Sequence, residues 1–419
     1  MSRRRTFVLG GAHTPFLGKG HPDFVWKRHP DFGTRENPTL EETINASVAA
    51  ALDETGVDPH QIERGYIGNF TGELFNQQGH LGAALAGAHA AFEHKPFMRV
   101  EGACASGGLA LVAATDAIRA GSDVVLVAGA EVQTTVNARV GADYLARAAH
   151  YRRQRQIDDF TFPALFARRI KACTDAWGIT AEDRGLIAKK AYDNANANPY
   201  AHMKAKRVTM EWAVGPNDKN PHFLGNPELN AHLTMSDCSQ VSDGGSALVL
   251  VSEEGLAKLG KQASDAIELV DYGVSAASLY ADSDPLRLST TRAAAQQAYD
   301  ASGIRPEEVQ VAEVHDCFTI AELLMYEAIG LASEGEGKEL ARSGATRIDG
   351  HIPVNTGGGL IGFGHPVGAT GVKQAIEIHR QMKGMCGDYQ MPTAPGIGLS
   401  ANMGGDDRTV VVGLYKNIE

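Results

Sequence analysis

The 419 residues predict an α/β protein made of two similar halves, and three observations carry that reading. Short apolar runs alternate with helical patterns along the first 135 residues, the order that puts strands in one largely parallel sheet with helices against it. Val124–Gly129 is apolar without interruption, as in a strand buried on both faces. The sequence also repeats itself: Gly56-Val-Asp-Pro-His-Gln-Ile-Glu-Arg-Gly-Tyr-Ile matches Gly303-Ile-Arg-Pro-Glu-Glu-Val-Gln-Val-Ala-Glu-Val at an offset of 247 positions. Ser242-Asp-Gly-Gly is echoed by Asn402-Met-Gly-Gly, and Cys104-Ala-Ser-Gly-Gly by His365-Pro-Val-Gly-Ala-Thr-Gly, each of the last two followed by a helix. A repeat of this kind implies two copies of one unit, with Cys104 and His365 at equivalent turns that converge if the copies pack about a pseudo-twofold.

In order along the chain, Ser2-Arg-Arg-Arg superficially matches a twin-arginine signal. The apolar run behind it stops at Gly10-Gly11, so Thr6–Leu9 reads as a first buried strand. A polar loop, His13–Pro38, precedes Thr39-Leu-Glu-Glu42, a capping-box start for a helix to about Thr55. Strand Tyr66–Gly68, helix Leu81–Ala91 and the strand that delivers Cys104 follow. Helix Leu109–Arg119 ends at Ala120-Gly121. Between Val136 and Met235 the charge balance reverses, 15 Lys+Arg against 10 Asp+Glu, inside a chain that is otherwise acidic. That insertion reads either as solvated helical faces or as a platform for an anionic ligand. Strand character returns in Ser236–Ser252 and Val309–Val314, and Val372–Met382 reads as a helix.

A net charge of −11 argues against general nucleic-acid or membrane-surface binding. Five cysteines, 104, 173, 238, 317 and 386, show no C-x-x-C spacing. Neither a disulfide framework nor a zinc site is suggested, H-E-x-x-H is missing, and a reducing cytoplasm fits. No apolar run is long enough for a membrane span, and Lys-Asn-Ile-Glu is not a peroxisomal address.

The chemistry gathers around Cys104. Gly102 and Gly107 allow a tight strand-to-helix turn, and the helix N-terminus favours thiolate, which makes Cys104 a candidate nucleophile, although a small buried thiol also fits. His365, in Gly-Phe-Gly-His-Pro, is a candidate base, against the commoner structural histidine. His315 and Cys317 alternate from one strand end and so share a side. Asn402-Met-Gly404-Gly offers oxyanion-type N–H donors or a plain hairpin turn. Gly357-Gly-Gly359-Leu-Ile-Gly362 satisfies G-x-G-x-x-G, but no helix starts at its end, which weakens a dinucleotide reading.

The ordered set G-A-C-A-S-G, V-H-D-C-F, G-F-G-H-P-V-G-A-T-G and A-N-M-G-G-D resembles the thiolase superfamily over essentially the whole chain, and H-D-C-F resembles the sterol-carrier-type thiolases and acetyl-CoA acetyltransferases. The resemblance implies a layered αβαβα fold with a helical, basic insertion. Its parts would be an N-terminal half, 1–135, completed by 236–260; a coenzyme A-binding loop domain, 136–235; and a C-terminal half, 261–419. It further implies an acyltransferase of lipid metabolism that forms or cleaves 3-oxoacyl-CoA through an acyl-cysteine. Cys104 would carry the acyl group and His365 would activate it. His315 with His365 would hold the enolate-like oxygen, Cys317 would move the α-proton, and the N–H groups of Cys104 and Gly404 would form the other oxyanion hole. Ser239 would touch the pantetheine arm. Acyl-CoA and coenzyme A would be substrates, with no permanently bound cofactor, and the protein a homodimer or homotetramer. Many thiolases carry a second catalytic cysteine in C-x-G where this chain has Asn402. A biosynthetic condensing subunit acting on a non-CoA acceptor, with a small partner protein, is therefore the alternative.

Overall fold

The computed structural model describes residues 3–418; Met1, Ser2 and Glu419, at the ends of the two stretches read for targeting signals, lie outside the described residues. Among these residues the strands are β1 (Thr6–His13), β2 (Arg64–Gly68), β3 (Phe97–Val100), β4 (Val124–Glu131), β5 (Gly244–Val251), β6 (Ile267–Ala276), β7 (Val311–Glu313), β8 (Ile397–Gly404) and β9 (Thr409–Asn417). Helices of eight residues or more are α1 (Leu40–Thr55), α2 (Ser106–Arg119), α3 (Ala138–Leu145), α4 (Thr161–Trp177), α5 (Ala181–Ala197), α6 (Ser289–Ser302), α7 (Thr319–Ala328) and α8 (Thr370–Met382). No described helix is long and apolar enough to cross a membrane.

The strands form one sheet in the order β3-β2-β4-β5-β1-β6-β9-β8-β7. Read outward from the centre, β1-β5-β4-β2 on one side mirrors β6-β9-β8-β7 on the other, so the internal repeat is a spatial one. Three antiparallel pairs, beginning at Thr6↔Leu269, join the halves. The largely parallel sheet expected from the sequence is corrected: only β2–β3, β2–β4 and β7–β8 run parallel. In each half the chain returns beside the strand it has just left, β5 against β4 and β9 against β8, and this reversal makes the remaining pairs antiparallel.

Helix α1 starts at the expected capping box, where the Thr39 hydroxyl accepts from Glu42 N–H and the Glu42 carboxylate accepts from Thr39 N–H. It covers the outer face of β1 and β5, while α6 covers β6 and β9. Between the half-sheets lie α2 and α8, each touching strands of both. The result is five layers with α2 and α8 at the centre. A buried apolar cluster of Leu111, Ile118, Val127, Leu250, Val372 and Ile376 fills the space around them.

These two helices meet through glycine. A Cβ on Gly371 would lie 2.1 Å from Gly108 N, and one on Gly107 would lie 2.8 Å from Gly368 O. No side chain fits there, so the two N-terminal ends approach backbone to backbone. Gly371→Ala is expected to lower unfolding free energy by about 2–3 kcal/mol, read from guanidinium denaturation, because backbone cannot give way as a side chain can.

The excursion between β4 and β5 holds α3, α4 and α5, where the second half has only the short turn from Gly404 to Thr409.

Candidate active site

The turn before α2 sets Cys104. Ala103 sits at φ 53°, a left-handed conformation, and the Ser106 hydroxyl accepts from Gly102 N–H and donates to Ala103 O, closing the loop under the sulfur. The equivalent turn before α8 sets His365. Ser242 Oγ accepts from His365 N–H at 3.1 Å, and Gln133 Nε2 donates to His365 O at 2.8 Å. Cys104, His315 and His365 each bring one sulfur or nitrogen within 4.8 Å of the other two. The two imidazoles stand edge to face, 5.1 Å between centroids. Among the described residues this is the only His/Cys/Asp/Glu group spaced closely enough for a metal ion.

Hydrogen bonding sets the two rings differently. Thr370 Oγ1 lies 2.7 Å from His365 Nδ1 and donates its own proton to Pro366 O at 3.1 Å. The hydroxyl is thus left to accept from Nδ1–H, and Nε2 of His365 is the bare, basic nitrogen. At His315 the sense is opposite. Asn402 Oδ1 accepts from Gly108 N–H at 3.0 Å, which fixes the amide, and Nδ2 donates to Cys104 O at 3.0 Å and faces His315 Nδ1 at 3.3 Å. Nδ1 accepts, so Nε2 of His315 carries the proton. One histidine offers a base and its neighbour a donor.

Burial sets the charge states. It pushes the Cys104 thiol up to about 12, opposed by the Gly405 N–H. It holds His365 down to about 3, and His315 well below its usual value with the neighbouring His365 adding to the effect. The expectation of a resting thiolate is therefore corrected: desolvation outweighs the helix N-terminus, and the pair rests as thiol and neutral imidazole. Cys317 is likewise held well above the ordinary thiol value by burial.

Cys104, His315, Cys317, His365 and Ser239 all line one cavity of about 400 Å³. The Cys317 carbonyl accepts from Ser239 N–H at 2.9 Å, tying the H-D-C-F strand end to the Ser239 loop. Gly404 does not reach the cavity wall. It ends β8 packed on Gly102, where a Cβ would lie 2.2 Å from Gly102 O, and Gly405, one residue on, lines the cavity, where its N–H favours the Cys104 thiolate. The Asn402-Met-Gly-Gly stretch is thus strand end and hairpin turn together.

Sequence reasoning missed Thr370, Asn402 as a hydrogen-bond hub, and Glu131. The buried Glu131 carboxylate accepts from the N–H groups of Phe70, Thr71 and Gly368 and clamps the His365 loop to the loop after β2. Its place at the end of a buried strand was the available signal. The G-x-G-x-x-G stretch cradles a carboxylate of the protein itself, because Leu360 and Ile361 N–H donate to Asp316. The dinucleotide reading ends there.

Comparison with known proteins agrees with this geometry. Residues 31–219 match the thiolase N-terminal domain and residues 272–416 the thiolase C-terminal domain-like family. Acetyl-CoA acetyltransferase of Methanothermobacter thermautotrophicus is 33% identical over 382 residues, covering 90% of this chain and 94% of that protein. Sterol carrier protein 2 of Homo sapiens is 30% identical over 337 residues, covering 77% of this chain and 58% of that protein. A solved structure, the Ltp2-ChsH2(DUF35) aldolase, superposes with a TM-score of 0.75 at 23% identity, covering 99% of this chain and 98% of its own. Two central helices meeting through glycine, a cysteine and two histidines at one cavity, and these matches along the chain make it a member of the thiolase family, an acyltransferase of the thiolase type.

Proposed function

We propose that the protein forms or cleaves 3-oxoacyl-CoA through an acyl-Cys104 intermediate. The observation that carries this reading is the convergence of the Cys104 sulfur on a basic and a proton-donating imidazole at one cavity. Cys104 attacks the acyl thioester as its proton passes to His365 Nε2, and that proton leaves with the coenzyme A thiolate as the free thiol. The N–H groups of Cys104 and Gly405 stabilise the tetrahedral oxyanion, a place the sequence motif gave to Gly404. Cys317, its own proton having passed to the now neutral His365, takes as thiolate the α-proton of the second thioester, whose oxygen is held by His315 Nε2–H. The new carbanion attacks the acyl-cysteine, and the Cys104 thiolate it expels recovers its proton from His365.

Coenzyme A enters past Ser239 and Lys19, which line the cavity. Of the insertion's 15 Lys+Arg, most pair with acids, such as Arg169 with Asp406 and Arg155 with Asp143. Lys204, Lys206 and Arg207 make no ion pair among the described residues, and His202 beside them donates from Nε2 to Lys19 O, 3.3 Å away. These cations meet the phosphates, so 136–235 acts as a coenzyme A loop domain between the halves 1–135 with 236–260 and 261–419. The edge strand β3, with Met98 48% exposed, supports a homodimer or homotetramer, and five unpaired cysteines support a cytoplasmic setting.

A 3-oxoacyl-CoA with free coenzyme A is expected to yield two shorter thioesters, read by chromatography. Intact substrate after prolonged incubation would overturn the reading. The rate of single-turnover acylation is expected to stay flat from about pH 9 to pH 5. Protonation switches the base off, and His365 held down to about 3 takes its proton far below the range of an exposed histidine. An acid limb centred near pH 6.5, measured by rapid quench, would contradict the buried neutral base.

The alternative, a condensing subunit with a small partner on a non-CoA acceptor, is supported by the likeness to an aldolase described as a complex with a DUF35 protein. Turnover that appears only when a protein encoded beside this one is added would favour it.

A further inference from the structure

We propose that the acyl group this protein transfers is apolar and much larger than acetyl, a chain of about six to ten carbons or one bearing a ring, seated in the cavity that α3, Phe70 and Phe75 line together. This rests on the acyl-Cys104 reading and names its substrate class. A cavity near 150 Å³ already accepts benzene, so the space of about 400 Å³ beside Cys104 far exceeds what a two-carbon group fills, even with the thiol end of a carrier inside.

The wall is built for a hydrocarbon. Phe70, Ala148 and Val367 form a buried apolar cluster against which Cys104, Leu145 and Phe162 pack. Helix α3 lines the same cavity with Ala138, Gly141, Ala142 and Leu145, the i, i+3, i+4, i+7 face of one helix. Its other side is polar: Arg139 pairs with Asp159, and Asp143 with Arg147. An apolar helix face normally closes on the core. Here Ala142 and Leu145 stay partly exposed and Ala138 exposed, so what this face lacks is a cover, and the cavity is where one would sit. Phe75 packs edge-on against Tyr144 of α3, 5.2 Å between centroids, and adds its ring to the apolar lining. Among the described residues Lys19 is the one Lys, Arg, Asp or Glu on the cavity lining, and it belongs to the loop beside Ser239 and Val241, where Leu17 pairs with Asp243. The α3 side therefore offers nothing to a charged acyl group, whose desolvation would go unanswered.

Gly141 sets the width. A Cβ there would lie 3.6 Å from the Phe75 ring and 3.8 Å from Val136, so any longer side chain enters the space.

The test is single-turnover acylation of the purified full chain by acetyl-, butanoyl-, octanoyl-, phenylacetyl- and glutaryl-CoA. A gain of about fourfold per buried methylene is expected, from roughly 0.8 kcal/mol each, so octanoyl-CoA should exceed acetyl-CoA at least about 100-fold. Glutaryl-CoA should fall at least about tenfold below butanoyl-CoA. Gly141→Leu should cut the octanoyl-to-acetyl ratio at least about tenfold, and Ala142→Leu, at a half-exposed position, does the same if the first variant folds poorly. Acetyl-CoA equal to or better than octanoyl-CoA, or a ratio unmoved in both variants, overturns the assignment. No acylation by any thioester instead removes the parent reading, an outcome separate from a wrong chain length.

Discussion

Cys104→Ala is expected to abolish acyl transfer, a loss of at least about 10⁴-fold, because the bond that stores the acyl group can no longer form. Folding should survive. Trimming one sulfur from a residue that already faces a cavity costs little packing, so the denaturation midpoint should stay near that of the parent chain. Cys317→Ala gives the contrasting result. Its thiol faces the same cavity but is not one of the three convergent atoms, so acyl-Cys104 should still form from acyl-CoA while condensation and thiolysis stop. Rapid-quench acylation and steady-state turnover, measured side by side, separate these outcomes. Equal loss of both in Cys317→Ala would leave the proposed division of labour without support.

Asn402→Asp is the second large effect, expected at about 10² to 10³-fold in turnover, the usual size for losing one donor aimed at an oxyanion. Asparagine and aspartate have the same shape, but a carboxylate has no N–H for His315 Nδ1 or for the Cys104 carbonyl. An acceptor at that place makes Nδ1 keep its proton, which strips Nε2 of the hydrogen that would hold the enolate oxygen. The second half-reaction should fall far more than acylation. Nitrogen-15 spectra of labelled histidine should show His315 with its proton on Nε2 in the parent chain and on Nδ1 in the variant. A purely structural asparagine would move neither the tautomer nor the ratio of the two half-reactions.

Much of this was legible in the sequence because repeats and turns are local signals. The offset between Pro59 and Pro306 shows which turns are equivalent, and the structure brings Cys104 and His365 together as that equivalence requires. Strand direction was not legible, since an apolar run such as Val124–Gly129 reads alike whichever way its neighbours point. The charge on the sulfur was misjudged for a related reason: a helix N-terminus is visible in the sequence, but burial of Cys104 arises from Phe70, Ala148 and Val367, far apart along the chain. Thr370 and Asn402 were equally hidden, because their roles depend on which atom of a distant ring they meet. The glycine run Gly357–Gly362 suggested a nucleotide, and only the fold reveals that Asp316 occupies its amides.

Peptide mass spectrometry on the parent chain after brief exposure to octanoyl-CoA alone tests the acyl-enzyme most directly. One octanoyl group per chain, confined to the peptide containing Cys104 and released on adding coenzyme A, is the expected result. Label distributed among the other cysteines, or a Cys104 left unmodified by octanoyl-, acetyl- and phenylacetyl-CoA alike, would contradict it.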